Sequence, residues 1–136
     1  MNITIKFIKT VNKEEFITLY KEAGWWSDDY YTDLTFIDNI VNNSFLFAGA
    51  YDNSNRLIGM GRAISDGCSD AYIQDVVVLR EYRNKGIGGN IIKKIIEKLQ
   101  RNGIDWIGLI GEPGTENFYK EFGFKKLDHY IPMKLT

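Results

Sequence analysis

The sequence is poor in cysteine, histidine and proline. Its single cysteine, Cys68, excludes an internal disulfide, and with the single histidine, His129, it leaves too few soft ligands for a structural zinc site. We therefore expect no metal, and a reducing compartment, the cytoplasm, for this chain. Pro113 and Pro132 are the only prolines, so most of the chain carries no proline break.

Long hydrophobic runs and targeting signals are missing as well. No apolar stretch approaches the roughly 20 residues that cross a bilayer. Residues 1–15 contain no apolar core followed by a small-residue cleavage site. We expect neither a membrane span nor a secretory signal.

The length and composition fit one folded domain. The chain has 136 residues, of which 44% are apolar and 26% are charged, and domains usually have roughly 100–200 residues. No linker, repeat or low-complexity segment divides the chain. We predict a single domain over residues 1–136.

Net charge is small, and the charges are unevenly distributed along the chain. The net charge is −1, so we expect no nucleic-acid partner. Residues 1–75 carry 6 basic and 11 acidic side chains, whereas residues 76–102 carry 7 basic and 2 acidic ones. The basic segment indicates a place where an anion could bind.

Hydrophobic periodicity predicts secondary structure in the order β α α β β β α β α β. The predicted strands cover residues 3–9, 45–51, 56–65, 71–79, 105–111 and 124–135, and the predicted helices cover 13–23, 33–42, 87–101 and 115–122. Antiparallel hairpins followed by a strand–helix–strand crossover predict an α/β (α+β) fold. We expect a mixed, mostly antiparallel sheet of about six strands with helices on both faces.

The most informative segment joins a buried strand to the long helix over 87–101. Three valines end the strand, and a basic, glycine-rich turn then opens the helix. The first N–H groups of a helix have no intrahelical partner and carry partial positive charge. Glycines let the backbone approach a ligand, and Arg83 and Lys85 add full charges. This combination predicts a phosphate-binding loop.

The spacing of this loop is Arg-x-x-Gly-x-Gly. The nucleotide-triphosphate loop G-x-x-x-x-G-K-[ST] is absent, and the dinucleotide fingerprint G-x-G-x-x-G fails because Ile91 stands at its third glycine. A plain glycine-rich turn with solvated basic side chains is the alternative. It is disfavoured because the strand, the basic turn and the helix occur together.

Two segments resemble motifs of the GNAT N-acetyltransferase superfamily. Arg83-Asn84-Lys85-Gly86-Ile87-Gly88 resembles the family's Arg/Gln-x-x-Gly-x-Gly/Ala motif, and Asn117-Phe118-Tyr119-Lys120-Glu121-Phe122-Gly123-Phe124 resembles its Phe/Leu-Tyr-x-x-x-Gly-Phe segment. The resemblance implies a GNAT-like fold and acetyl-CoA as the donor. It implies transfer of the acetyl group to an amine by direct attack, through a tetrahedral intermediate.

The resemblance also assigns the donor-binding residues. These are Val76, Val77, Val78, Arg83, Asn84, Lys85, Gly86, Ile87, Gly88, Gly89 and Asn117. The valines would pair with the pantetheine arm, and the N–H of Val78 would stabilise the oxyanion.

Two catalytic side chains are expected. By resemblance, Tyr119 would protonate the departing thiolate. This is feasible because a thiol has a pKa of about 8.5 and a tyrosine a pKa of about 10. The alternative role of Tyr119 is that of a core aromatic residue. Asp75 is the predicted base, since burial would raise its pKa. Tyr72, Gln74, a water chain, or a purely structural role for Asp75 remain alternatives.

By resemblance to the family, the acceptor would bind at the loop after the first helix. The rings of its four aromatic residues could bind a cationic amine by cation–π contacts. Packing of these rings onto the core is the equally open alternative. The four residues are Trp25, Trp26, Tyr30 and Tyr31. The amine itself stays open between a small polyamine-like or arylalkyl amine, an amino acid, an aminoglycoside, and a protein N-terminus or lysine. The resemblance also implies a homodimer.

Two other functions remain open. A non-catalytic acyl-CoA-binding or regulatory module could use the same fold, because fold does not fix function; the orientation of Tyr119 discriminates the two. A longer acyl group is the other alternative, and the space beside the three valines decides it.

Overall fold

The computed structural model describes residues 2–136. Its strands are β1 (Thr4–Phe7), β2 (Leu46–Tyr51), β3 (Leu57–Ser65), β4 (Asp70–Val78) and β5 (Trp106–Gly108). Its α-helices are α1 (Lys13–Ala23), α2 (Thr35–Asn43), α3 (Ile87–Arg101) and α4 (Glu116–Lys120). Short 3-10 helices cover Asp28–Thr32 and Arg80–Tyr82, and the sequence did not predict either.

The five strands form one sheet in the order β1-β2-β3-β4-β5. The first four strands pair antiparallel with their neighbours. β5 pairs parallel with β4, because α3 carries the chain back across the sheet between them. The predicted mixed, mostly antiparallel fold is confirmed.

Local signals set the ends of the two best-predicted helices. The Asn12 Oδ1 accepts the N–H of Glu15 at the start of α1, and Gly24 ends the helix with a φ of 81°. In α3 the apolar residues recur with helical spacing and are fully buried, as Ile91, Ile95 and Leu99 show. Both helices have the predicted bounds.

Helices cover both faces of the sheet. α3 lies directly on β3, where a Cβ on Gly61 would stand 2.9 Å from Cγ2 of Ile91. α1 lies on the opposite face and reaches β4 through Tyr20. The glycine allows the close approach, and the approach fixes where α3 begins relative to the end of β4.

The predicted strand over residues 124–135 is wrong. Residues 125–136 are exposed and belong to no strand, with Ile131, Met133 and Leu135 exposed by 77%, 88% and 96%. Their alternating pattern is typical of a strand, but a strand also needs a neighbour to pair with. The sheet of residues 2–136 therefore has five strands rather than six. β5 is also shorter than the predicted 105–111.

Within residues 2–136 no helix combines the length and hydropathy needed to cross a bilayer. The same residues contain no cluster of three or more His, Cys, Asp or Glu side chains suited to a metal ion.

Candidate active site

A β-bulge interrupts β4 next to the predicted donor-binding valines. Arg62 pairs with Gln74 and Met60 pairs with Val77, so one residue of β3 faces two residues of β4, Asp75 and Val76. Asp75 has a φ of 57°, a left-handed conformation that a residue other than glycine adopts only at a cost.

Hydrogen bonds from two sides hold the carboxylate of Asp75. Its Oδ2 accepts the hydroxyl of Tyr20 at 2.8 Å and the Nε of Arg62 at 2.7 Å. Arg62 also donates to Ser44 Oγ and Gln74 Oε1, each at 3.3 Å. Burial raises the pKa of Tyr20, and the charge of Asp75 raises it further. Asp75 is therefore bound into the structure, and it does not line the cavity described below.

The bulge determines which amides of β4 remain free. The N–H of Leu79 donates to the carbonyl of Ile58 on β3, so strand alternation directs the N–H groups of Val76 and Val78 away from β3. On that side β5 pairs only with Asp70–Tyr72. The two amides consequently face an open gap between β4 and β5.

The turn after β4 is built to present further N–H groups. Asn84 and Gly86 have φ values of 62° and 80°, and the first N–H bonded within α3 is that of Asn90, to the carbonyl of Gly86. No N–H of residues 84–89 donates to another group of the described chain. The Nε of Arg83 donates to the carbonyl of Val78 at 3.0 Å and ties this turn to the strand end.

A cleft of about 730 Å³ runs along these free amides. Most of the predicted donor-binding residues line it: Val76, Val77, Val78, Arg83, Asn84, Gly86, Ile87, Gly88 and Gly89. Two do not. Asn117 is exposed on α4, and Lys85 is exposed with its Nζ 5.9 Å from the ring centroid of Tyr82.

Tyr119 lines the same cleft from α4. Burial raises its pKa above the ordinary value, and the negative charge of Glu112 raises it further. Its position depends on Gly89, because a Cβ there would stand 2.8 Å from Cζ of Phe122. The missing side chain on α3 thus allows α4 to pack beside the start of that helix.

The four aromatic residues predicted for the acceptor separate into two groups. Trp25 lines the cleft. Trp26, Tyr30 and Tyr31 do not, and they pack with one another, with Trp26 5.0 Å from Tyr31 and 6.1 Å from Phe36 between ring centroids. The indole N–H of Trp26 is buried without a partner among the described residues.

The sequence analysis missed several residues that line the cleft, and Glu112 is one of them. It precedes Pro113 and Gly114, and Gly114 has a φ of 86°. The signal for this turn was in the sequence, because proline followed by glycine favours a type II turn. Sequence alone did not indicate that the turn borders the cleft.

The chain belongs to the acetyltransferase (GNAT) family, whose sequence profile matches residues 8–124. The chain is 32% identical over 127 residues to the uncharacterized N-acetyltransferase ycf52 of Gracilaria tenuistipitata var. liui, which covers 91% of this chain and 68% of that protein. It is 38% identical over 74 residues to GCN5-related N-acetyltransferase 1, chloroplastic, of Arabidopsis thaliana, which covers 54% of this chain and 38% of that protein.

Solved structures show the same fold. The PaiA N-acetyltransferase from Thermoplasma acidophilum, in complex with coenzyme A, matches with a TM-score of 0.77 at 22% identity, covering 96% of this chain and 94% of that one. The predicted family is thereby confirmed, and acyl transfer is the class of activity that the family defines.

Replacing Asp75 by asparagine tests the importance of the bulge for stability. We expect the free energy of unfolding to fall by about 3 kcal/mol, because Arg62 would lose the carboxylate that neutralises it in a half-buried site. Urea unfolding measures this. Asp38→Asn is the control, since its ion pair with Lys13 is 55% and 39% exposed and should contribute at most about 1 kcal/mol. Equal losses in both variants would contradict the assignment.

Proposed function

We propose that this chain is an acetyl-CoA-dependent N-acetyltransferase that transfers the acetyl group to an amine by direct attack, through a tetrahedral intermediate and without a covalent acetyl-enzyme. The observation that carries the proposal is one cleft that joins the free amides of residues 84 and 86–89, the free amides of β4 and Tyr119.

The loop fits the diphosphate of the donor. Its unpaired N–H groups lie at the positive end of the α3 dipole, and Arg83 stands beside them with its Nε fixed on Val78. A Cβ on Gly88 would have ordinary contacts, 3.5 Å from Phe118 Cζ and 3.7 Å from Val78 Cγ2, so the position has room for a methyl group beside the free amides. The free amides of Val76 and Val78 suit the amide-containing pantetheine arm.

Two groups serve the chemistry at the thioester. The N–H of Val78 stabilises the oxyanion, a contribution of roughly 2.7–4 kcal/mol for one such donor. Tyr119 donates a proton to the departing sulfur, and its raised pKa keeps the hydroxyl protonated at neutral pH. Its place in the cleft supports the enzyme over the non-catalytic acyl-CoA-binding module.

The base predicted from sequence has less support. Asp75 remains a prediction, but its two hydrogen bonds and its position outside the cleft favour the structural alternative. Gln74 is bonded to Arg62, and Tyr72 packs against Trp106 with ring centroids 5.3 Å apart.

We propose one domain over residues 1–136 and a reducing compartment. One sheet contains all five strands, which supports the single domain. The cytoplasm is the location predicted from the sequence. A plastid is the alternative, since the Arabidopsis relative is named chloroplastic.

Calorimetric titration with acetyl-CoA tests donor binding. We expect micromolar binding that weakens at least tenfold in Arg83→Ala, which loses a charge-assisted contact. We expect the same loss in Gly88→Leu, whose side chain is larger than the space beside the free amides. Arg101→Ala is the matched control at the other end of α3 and should bind as the wild type does. No binding at millimolar acetyl-CoA would refute the proposal.

Replacing Tyr119 by phenylalanine tests proton donation. Thiol release from acetyl-CoA in the presence of an amine should slow by about 100-fold or more, the usual contribution of a general acid, while the Kd for acetyl-CoA stays unchanged. Tyr130→Phe, in the exposed C-terminal segment, is the control. An undiminished kcat in Tyr119→Phe would remove the proposed role.

We also propose a homodimer in which residues 125–136 of one copy pack against the free edge of β5 in the other. An unpaired edge recruits a further strand, and Ile131, Met133 and Leu135 alternate as a strand face would require.

Light scattering after gel filtration tests the dimer and should give a molar mass of twice 15.7 kDa. Met133→Asp should give a monomer, and Lys134→Asp, on the other side of the segment, should not. A wild-type chain that is still monomeric at a protein concentration of about 100 μM, where weak dimers form, would contradict the dimer.

A further inference from the structure

Two carboxylates in the cleft have no role in the mechanism above. Glu112 and Glu121 both line the cleft, and Glu112 is the one whose charge acts on the pKa of Tyr119. The chain next to Glu112 also lies beside Tyr119, since a Cβ on Gly111 would stand 3.8 Å from Tyr119 Cδ2. The site needs a group that removes a proton from the acceptor, since a primary amine with a pKa near 10 is mostly protonated at neutral pH.

The backbone of Glu112 is held in a fixed turn. The N–H and the Oγ of Thr115 both donate to the carbonyl of Glu112, at 3.2 and 2.6 Å. Pro113 and the left-handed Gly114 are the residues that a type II turn prefers at its two central positions. Only the side-chain torsions of Glu112 therefore remain to be fixed.

An indole from the first half of the chain orients that side chain. The Nε1 of Trp25 donates to Glu112 Oε1 at 3.3 Å. Trp25 is itself fixed, because its backbone N–H donates to the carbonyl of Tyr20. Its ring also packs edge-on against the ring of Tyr20, with the ring centroids 5.4 Å apart. Glu112 Oε2 has no hydrogen-bond partner within residues 2–136, and Glu112 is an exposed residue that lines the cleft.

We propose that Glu112 binds the ammonium group of the acceptor through Oε2 and removes a proton from it. This inference rests on the proposed function and deepens it. It makes the substrate a primary amine that is cationic in solution, and it gives Trp25 the role of a positioning residue.

The protons balance over the reaction. The ammonium gives one proton to Glu112, and the freed lone pair forms the C–N bond at the thioester carbonyl carbon. The C–S bond then breaks, and the sulfur takes the hydroxyl proton of Tyr119. The second proton lost from nitrogen restores Tyr119 through solvent, and Glu112 releases its proton to solvent.

The test compares Glu112→Gln and Glu112→Asp with the wild type. Thiol release from acetyl-CoA is measured with spermidine, tyramine and Nα-acetyl-lysine amide as three amine probes. We expect Glu112→Gln to lower kcat/KM for the accepted amine by at least about 100-fold, the usual contribution of a general base. Glu112→Asp, which keeps the charge, should recover part of that loss. The Kd for acetyl-CoA should stay within twofold.

Glu116→Gln is the matched control. Glu116 carries the same charge on an exposed part of α4, where it pairs with Lys120 at 2.8 Å, so we expect activity within twofold of the wild type. Wild-type kcat/KM in Glu112→Gln, or equal losses in Glu112→Gln and Glu112→Asp, would overturn the role of Glu112.

The remaining outcomes separate this inference from the proposed function. Binding of acetyl-CoA with no acetylation of any of the three amines would overturn the ammonium site. Loss of melting temperature along with activity in the Glu112 variants would also overturn it, because Glu112 would then act through the turn. Failure of the wild type to bind acetyl-CoA would instead refute the proposed function itself.

Discussion

The carboxylate of Asp75 is the constraint on which the rest of the site depends. It accepts hydrogen bonds from Tyr20 on α1 and from Arg62 on β3, and so holds a residue other than glycine in a left-handed conformation. The extra residue reverses the alternation of β4 beyond it. Without this bulge, the N–H of Val77 rather than that of Val78 would face the gap beside β5.

Close packing at two glycines brings the parts of the cleft together. Gly61 allows α3 to lie against β3, and Gly89 allows Phe122 and hence α4 to lie against α3. The free N–H groups of the α3 start thus come to the open edge of β4, with Tyr119 beyond them. At each contact a large side chain, Ile91 or Phe122, occupies the space that a Cβ on the glycine would need, so the cleft depends on the absence of that atom.

Prediction from sequence succeeded where the signal is local. The ends of α1 follow from Asn12 and Gly24, and the turn with free N–H groups before α3 follows from glycines and charges adjacent in sequence. It was wrong for residues 124–135, where the alternating pattern is local but the pairing edge is not. Neither the bulge nor the separation of Trp25 from Trp26 could be predicted, because distant residues decide both.

The free amides of β4 have a consequence for comparing this chain with others. The donor contacts proposed here are made by the main chain, and they place no chemical demand on the side chains at Val76 and Val78, which lie beside Gly61 and Gly59 of β3. Isoleucine or alanine at these two positions would preserve the proposed main-chain hydrogen bonds to the ligand although the residue type changes. In such a site, only the positions that require a glycine or a charge constrain the sequence. The main-chain amides, which are the most specific part of the binding surface, are therefore the part that a sequence alignment would detect least.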